Sequence, residues 1–168
     1  MMKNDFVDVV IAQWNKERPD LDPSPMGVMG RLVRTDVMFS KELQTVFGRF
    51  GLNGGEFDVL ATIRRSGKPF TLSPSQLLQT LMLTSGSMTN RIDKLEAKDL
   101  VARSFDPNDR RGVMVSLTEK GFQLIDQVVE EHIAKGQSLL SPLDKSEQQQ
   151  LAVLLKKLLL GLSSSTYK

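Results

Sequence analysis

Apolar residues near the N-terminus recur with the period of an α-helix. One stripe follows the spacing i, i+3, i+4 and i+7 and comprises Val7, Val10, Ile11 and Trp14. Residues 4–16 are therefore predicted to form an amphipathic helix. A proline-rich loop over residues 17–25 follows. Ser24-Pro25 then predicts the capped start of a second, long helix that reaches about Phe50.

The middle of the chain contains three further helical patterns. Residues 54–66 carry apolar positions on two faces, which is typical of a helix sandwiched inside a protein. A helix of about eight residues opens at Ser73-Pro74, and a tight connection separates it from a third helix over residues 85–98. The core stripe of this third helix is predicted to be Met88, Ile92 and Leu95.

A strand pattern follows these helices. Residues 100–105 and 113–117 predict two strands, and the Pro, Asn, Asp and Gly residues between them form turns readily. A short helix, a tight turn, a second helix and a two-stranded hairpin make up the plan of a winged helix-turn-helix. The predicted fold class is therefore mainly α with a small β-hairpin wing.

Two more amphipathic helices are predicted at the C-terminal end. Thr118 caps the first, which extends to about Gly136, and residues 163–168 are expected to fray after the second. Asp144 and Glu147 have the spacing of a capping box for that second helix. Its apolar stripe comprises Leu151, Leu154, Leu155, Leu158 and Leu162.

These patterns predict three parts of the chain. Residues 1–50 form N-terminal helices for dimerisation and a candidate ligand pocket, residues 51–117 form the winged domain, and residues 118–168 form C-terminal dimerisation helices. The terminal helices carry more apolar surface than one small winged domain can cover. We therefore expect a homodimer, whose two-fold symmetry predicts a near-palindromic DNA site.

Composition argues against an enzyme. The chain has no cysteine and one histidine, so disulfides, thiol catalysis and zinc–thiolate sites are excluded, and the common catalytic triads are not available. We expect no cofactor and no metal, and His132 is interpreted as a dimer-interface residue. The absence of cysteine means that nothing in the chain needs an oxidising compartment, so a cytoplasmic protein is expected. The longest apolar stretch, residues 151–162, contains two lysines and is too short to span a bilayer, so no membrane partner is expected.

The helix over residues 85–98 has a second face that suits contact with base edges. Asn90 can make paired hydrogen bonds to adenine, and the hydroxyl groups beside it can serve bases or phosphates. Small side chains at its start allow a close approach to phosphate. The candidate DNA contacts on this helix are Ser85, Ser87, Thr89, Asn90 and Lys94.

The hairpin tip supplies a second set of candidate DNA contacts. An arginine at a wing tip can enter the minor groove, where narrow A·T segments concentrate negative potential. Asp109 is interpreted as a splint that holds a neighbouring arginine, although these charges can equally be solvated turn residues, since exposed ion pairs contribute only about 0–1 kcal/mol. The candidate wing residues are Asn108, Asp109, Arg110 and Arg111.

The alternative to DNA binding is a winged-helix module used for protein–protein assembly. Such modules lack a polar recognition face and a basic wing. The residues that favour double-stranded DNA here are Asn90, Lys94, Arg110 and Arg111.

The stretch from Gly51 to Gly121 resembles the MarR family of bacterial transcription regulators. The resemblance implies a triangular homodimer with intertwined terminal helices, wing contacts centred on Asp109 and Arg111, and repression as the commoner mode. The segments that carry it are Leu83–Glu96, Asp106–Gly112 and Leu117–Gly121.

The added N-terminal helix and its loop resemble the urate-responsive PecS/HucR branch of that family. The branch implies a small aromatic or purine-like anion as effector, and a ligand set whose matching positions here are Trp14, Asp58, Arg91 and Arg103. An aromatic face can stack on a planar purine, and a guanidinium can pair with an anionic oxygen. An anion that enters near Asp58 would repel it and move the recognition helix through an arginine.

Structural interpretations of the same four residues remain open. Trp14 lies in line with an apolar stripe and can be plain core. Asp58 and Arg91 can form a static ion pair, and Arg103 can brace the wing. Arg91 can also contact phosphate directly.

Overall fold

The computed structural model describes residues 3–81, 85–106 and 109–165, and it confirms a mainly α fold with a small antiparallel wing. Its elements in chain order are α1 (Phe6–Glu17), α2 (Ser24–Arg49), α3 (Gly54–Arg65), β1 (Thr71–Leu72), α4 (Pro74–Leu81), α5 (Ser85–Ala97), β2 (Val101–Asp106), β3 (Asp109–Leu117), α6 (Glu119–Leu139) and α7 (Lys145–Ser165). None of the helices in these ranges combines the length and the hydropathy that a membrane span requires.

Side-chain caps set most of the helix starts. The predicted capping box at α7 is confirmed, because the Asp144 amide donates to Glu147 and the Glu147 amide donates to Asp144, each at 2.9 Å. The predicted cap at Ser24 is wrong. Pro23 occupies the cap position of α2, and the Asp22 carboxylate accepts from both the amide and the hydroxyl of Ser24, each at 2.9 Å.

The last helix is longer than predicted. α7 continues through residues 163–165, where fraying was expected, and the Ser163 hydroxyl donates to the Leu159 carbonyl at 2.9 Å. This bond satisfies a polar group within the helix itself, so the serine does not end it. Residues 166–168 lie outside the described residues.

The wing belongs to a three-stranded antiparallel sheet of order β1-β3-β2. Strand β3 begins at Asp109, inside the segment predicted to be a turn, and pairs with all six residues of β2, with a register shift between Phe105 and Asp106. Thr71 and Leu72 add a short third strand that the sequence pattern does not reveal. The predicted tight connection at residues 82–84 lies outside the described residues.

The core is centred on α3, as its two apolar faces predict. Val59, Leu60 and Ile63 are fully buried, and α3 packs against α2, α4, α5 and α6. The predicted core stripe of α5 is also buried. A Cβ on Gly121 of α6 would lie 1.9 Å from the Leu100 carbonyl oxygen, so only glycine allows α6 to approach the turn before β2 this closely.

The terminal helices bury much less of their apolar surface within the chain. α1 lies along the first half of α2, where Val7 packs on Gly30 and Arg31 pairs with Asp5 and Asp8. Val46 and Phe47 near the end of α2 join the core, but many other apolar side chains of α1, α2 and α7 are exposed. Exposed fractions of 60% or more belong to Phe6, Val28, Met29, Val33, Val37, Met38, Val153, Leu154, Leu159, Leu160 and Leu162.

Candidate nucleic-acid interface and effector site

Helix α5 buries one face and exposes the other. Met88, Ile92 and Leu95 point into the core, while Thr89, Asn90 and Lys94 are exposed and Ser87 is half-buried. The residue that starts the helix, Ser85, is described only in its backbone. The part of the predicted polar face whose side chains are described is therefore exposed at Thr89, Asn90 and Lys94.

Two cationic side chains bind α5 to the start of α3. Lys98, directly after α5, places its Nζ 2.8 and 2.9 Å from the carboxylate oxygens of Glu56 and 2.8 Å from the Gly51 carbonyl oxygen. The Glu56 side chain is only 3% exposed, and its carboxylate also closes the capping box of α3 with Asn53. Sequence reasoning missed this pair, although the Asn53–Glu56 spacing is a capping-box signal.

The second cation is Arg91, in the middle of α5. Its guanidinium donates to the Gly55 carbonyl oxygen at 3.3 Å and lies 3.9 Å from the Asp58 carboxylate. A Cβ on Gly55 would lie only 2.5 Å from the guanidinium carbon, so this glycine makes room for the arginine. Two of the four predicted effector residues are thus neighbours across the α3–α5 contact.

Burial raises the pKa of the Asp58 carboxyl above its ordinary value, and the nearby charges of Arg91, His132 and Arg65 partly oppose this shift. His132 of α6 packs against the rings of Phe57 and Phe47, with centroid separations of 4.9 and 5.8 Å. Its Nδ1 atom is buried and has no hydrogen-bond partner among the described residues. The histidine thus contacts α2 and α3 of its own chain.

Arg103 of β2 holds the wing against α5. Its guanidinium bonds to the carboxylates of Asp93 and Glu96, both on α5. This geometry matches the bracing role that the sequence left open for Arg103. At the wing tip, Asn108 lies outside the described residues, and Asp109, Arg110 and Arg111 are described only as backbone of β3.

Trp14 lies far from these residues within one chain. It is 42% exposed and lines a surface cavity together with Gln13, Lys16 and Glu17, all on α1. Because α1 runs antiparallel to the start of α2, Trp14 lies near Ser24, whereas α3 packs near Phe47. A helix rises 1.5 Å per residue, so about 35 Å of α2 separates the two places.

Comparisons with known proteins agree with this architecture. A family model described as MarR family matches residues 50–112. The chain is 42% identical over 149 residues to the HTH-type transcriptional regulator PecS of Dickeya dadantii, covering 89% of this chain and 90% of PecS. Relatedness of this extent over nearly the whole chain shows common family membership.

Solved structures give the same result. The chain is similar to a mutant of MarR from E. coli in complex with operator DNA, with a TM-score of 0.70, 28% identity, and coverage of 87% of this chain and 97% of that one. It is also similar to BpsR of Bordetella bronchiseptica, whose DNA binding is regulated by 6-hydroxynicotinic acid, with a TM-score of 0.70, 27% identity, and coverage of 78% and 91%. The chain belongs to the MarR family of DNA-binding transcription regulators.

Proposed function

We propose that the chain is a homodimeric repressor that binds a near-palindromic duplex operator and is released by a small aromatic anion such as urate. The observation that carries DNA binding is α5 itself, whose core stripe is buried while Asn90 and Lys94 are exposed. An α-helix fits the major groove of B-DNA, and an exposed asparagine there can read adenine. The arginines of the wing tip then reach the neighbouring minor groove.

The dimer is supported by the apolar faces of the terminal helices. Val33 of α2 is 65% exposed and Leu154 of α7 is 63% exposed, and a groove lined by Phe6 and Met29 runs between α1 and α2. Apolar surface on this scale marks a protein–protein contact site. We therefore assign residues 1–50 and 118–168 to dimerisation and residues 51–117 to DNA binding.

The effector proposal rests on the contact between Arg91 and Asp58. An anion that binds the Arg91 guanidinium competes with the Gly55 carbonyl and with Asp58, and these two groups link α5 to α3. Loss of the link changes the position of the recognition helix. Since Trp14 of the same chain lies at the far end of α2, the indole that completes the ligand set is that of the second copy. BpsR, which is regulated by 6-hydroxynicotinic acid, is a precedent for an aromatic effector in a similar fold.

The test is a footprint on the DNA upstream of the chain's own gene, with and without urate. We expect protection of two half-sites that is lost on urate addition, and we expect Arg111→Ala to bind more weakly and with a smaller salt dependence. If no DNA is specifically protected and Arg111→Ala still binds a protein partner, the chain is instead a winged-helix module for protein–protein assembly.

The effector is tested separately on the protein–operator complex. Trp14→Ala and Arg91→Ala are expected to bind DNA but to resist urate. If millimolar urate does not release the wild-type protein from the operator, or if it releases both variants as readily as the wild type, urate is not the effector. The proposal of DNA binding is unaffected by either result.

A further inference from the structure

The wing exposes an aromatic side chain that none of the contacts above explains. Phe105, the second-to-last residue of β2, is 81% exposed, more than Val33 on the proposed dimer face. Its cross-strand partner on β3, Val113, is 38% exposed. Together they form a small apolar patch on the hairpin.

The strand register shows which way this patch faces. Alternate residues of a strand lie on the same face of a sheet, and so do cross-strand partners. One face therefore carries Val101, Arg103 and Phe105 of β2 together with their partners Leu117, Val115 and Val113 of β3. At the base of the hairpin this face joins the core, since Val101 and Val115 are buried. Two residues further along, Arg103 on the same face bonds to α5. Phe105 thus continues the α5-facing side of the wing beyond the point where α5 covers it.

Phe105 lies on the tip side of the contact between β2 and α5. β2 follows α5 through a short turn, and Arg103 reaches Asp93 and Glu96 in the C-terminal half of the helix. Phe105 lies about 7 Å further along the strand, between this contact and the wing tip. The ring therefore borders the gap between α5 and the wing tip.

We propose that Phe105 packs against the deoxyribose carbons of the DNA backbone that crosses this gap. This inference rests on the proposed function: with α5 in the major groove and the wing tip in the adjacent minor groove, the strand between the two grooves passes beside Phe105. The sugar carbons are the apolar part of that strand. One ring and one valine match a contact with one or two sugars, whereas a stable protein–protein interface needs about 800 Å² on each partner.

The first measurement is operator affinity as a function of salt, using a duplex from the region upstream of the chain's own gene. Phe105→Ala is expected to bind about tenfold more weakly per dimer, equivalent to about 1.4 kcal/mol. Its salt slope is expected to equal that of the wild type, because no phosphate contact is lost. Lys94→Ala provides the contrast, since loss of a phosphate contact lowers the slope. Ser104→Ala, an exposed residue next to Phe105 on the opposite face of β2, is the matched control and is expected to bind like the wild type.

Hydroxyl-radical footprinting then tests the contact itself, because the radicals attack deoxyribose. Phe105→Ala, compared at saturating protein, is expected to lose protection at one or two sugars per half-site and to keep the rest. Phe105→Leu, which keeps apolar bulk, is expected to restore that protection. Replacing thymine by uracil throughout the DNA duplex is expected to leave the loss of affinity in Phe105→Ala unchanged, because Phe105 does not contact the thymine methyl group.

The outcomes separate this inference from the proposed function. If the wild type protects no specific DNA, both fail. If the wild type binds but Phe105→Ala binds equally well, or weakens with every sugar still protected, only the Phe105 contact is overturned. If Phe105→Ala loses affinity on thymine-containing DNA but not on uracil-containing DNA, the ring contacts a base methyl group, and the sugar contact is overturned.

Discussion

The winged unit and the terminal helices have similar apolar stripes but opposite burial. Leu60 of α3 and Leu95 of α5 have no exposed surface, whereas Val33 of α2 and Leu154 of α7 are mostly exposed. The winged unit therefore completes its core within one chain. The terminal helices leave theirs exposed within one chain, and we propose that a second copy covers it. Helical periodicity reveals that a face must be buried, but it does not reveal which chain buries it.

The largest expected difference between the two regions lies within one helix. Gly121→Ala, where α6 packs on the winged unit, places a Cβ on the Leu100 carbonyl oxygen, so we expect a loss of about 4 kcal/mol or more in the free energy of unfolding. Gly136→Ala, near the other end of α6, meets nothing within 4 Å and is expected to gain about 0.5–1 kcal/mol from helix propensity. Urea unfolding of both variants measures this, and similar stabilities for the two would contradict the close approach at Leu100.

Leucine truncations compare the two cores directly. Leu60→Ala is expected to cost about 2–5 kcal/mol, because it leaves a cavity in a fully buried site. Leu158→Ala is expected to act on association, so its Tm deficit depends on protein concentration. Thermal melts over a hundredfold range of concentration distinguish the two effects. A wild-type Tm independent of concentration, together with a monomer in sedimentation, would show that the terminal helices need no partner.

The Lys98–Glu56 pair provides a smaller, polar test of the winged unit. Lys98→Met leaves the buried Glu56 carboxylate without its cation, and we expect a loss of about 1–3 kcal/mol. Arg31→Met at the exposed Asp5–Asp8 cluster is the matched control, and exposed pairs contribute only about 0–1 kcal/mol. Equal losses of unfolding free energy in the two variants would mean that burial of Glu56 does not increase the contribution of its ion pair to stability.

The smallest expected effect concerns Asp58. Burial raises the pKa of its carboxyl in the folded chain, so the folded state retains the proton at pH values where the unfolded state has lost it. Stability from this group is therefore greatest at low pH and falls as pH rises through the folded pKa. Because the side chain is half exposed, solvent reduces the effect. Asp58→Asn is expected to lose less stability than the wild type as pH rises above about 4, and a parallel pH dependence of Tm would contradict this.

Local signals in the sequence predict much of the fold. The period of 3.6 residues predicts the seven helices that the described residues contain, and the Asp144–Glu147 spacing predicts the α7 cap. These features depend on neighbours within one or two turns. The wrong predictions, at Ser24 and at residues 163–165, concern helix ends, where several local hydrogen bonds compete and the sequence does not show which one forms.

The structural features that the sequence does not predict depend on contacts between distant parts of the chain. Strand β1 is two residues long and exists because β3 pairs with it. The Lys98–Glu56 link spans 42 residues, and the bonds from Arg103 to α5 require the hairpin to fold back on its own preceding helix. The exposure of Phe105 likewise depends on where α5 stops covering the sheet. Periodicity carries no information about such distances.

A footprint of the purified chain on the DNA upstream of its own gene tests the claim that two copies of α5 enter successive major grooves. We predict two protected half-sites whose centres lie about 10–10.5 base pairs apart, or a multiple of that spacing, with protection weakened in Asn90→Ala and Arg111→Ala. Protection of a single site, half-sites off that repeat, or footprints unchanged in both variants would contradict it.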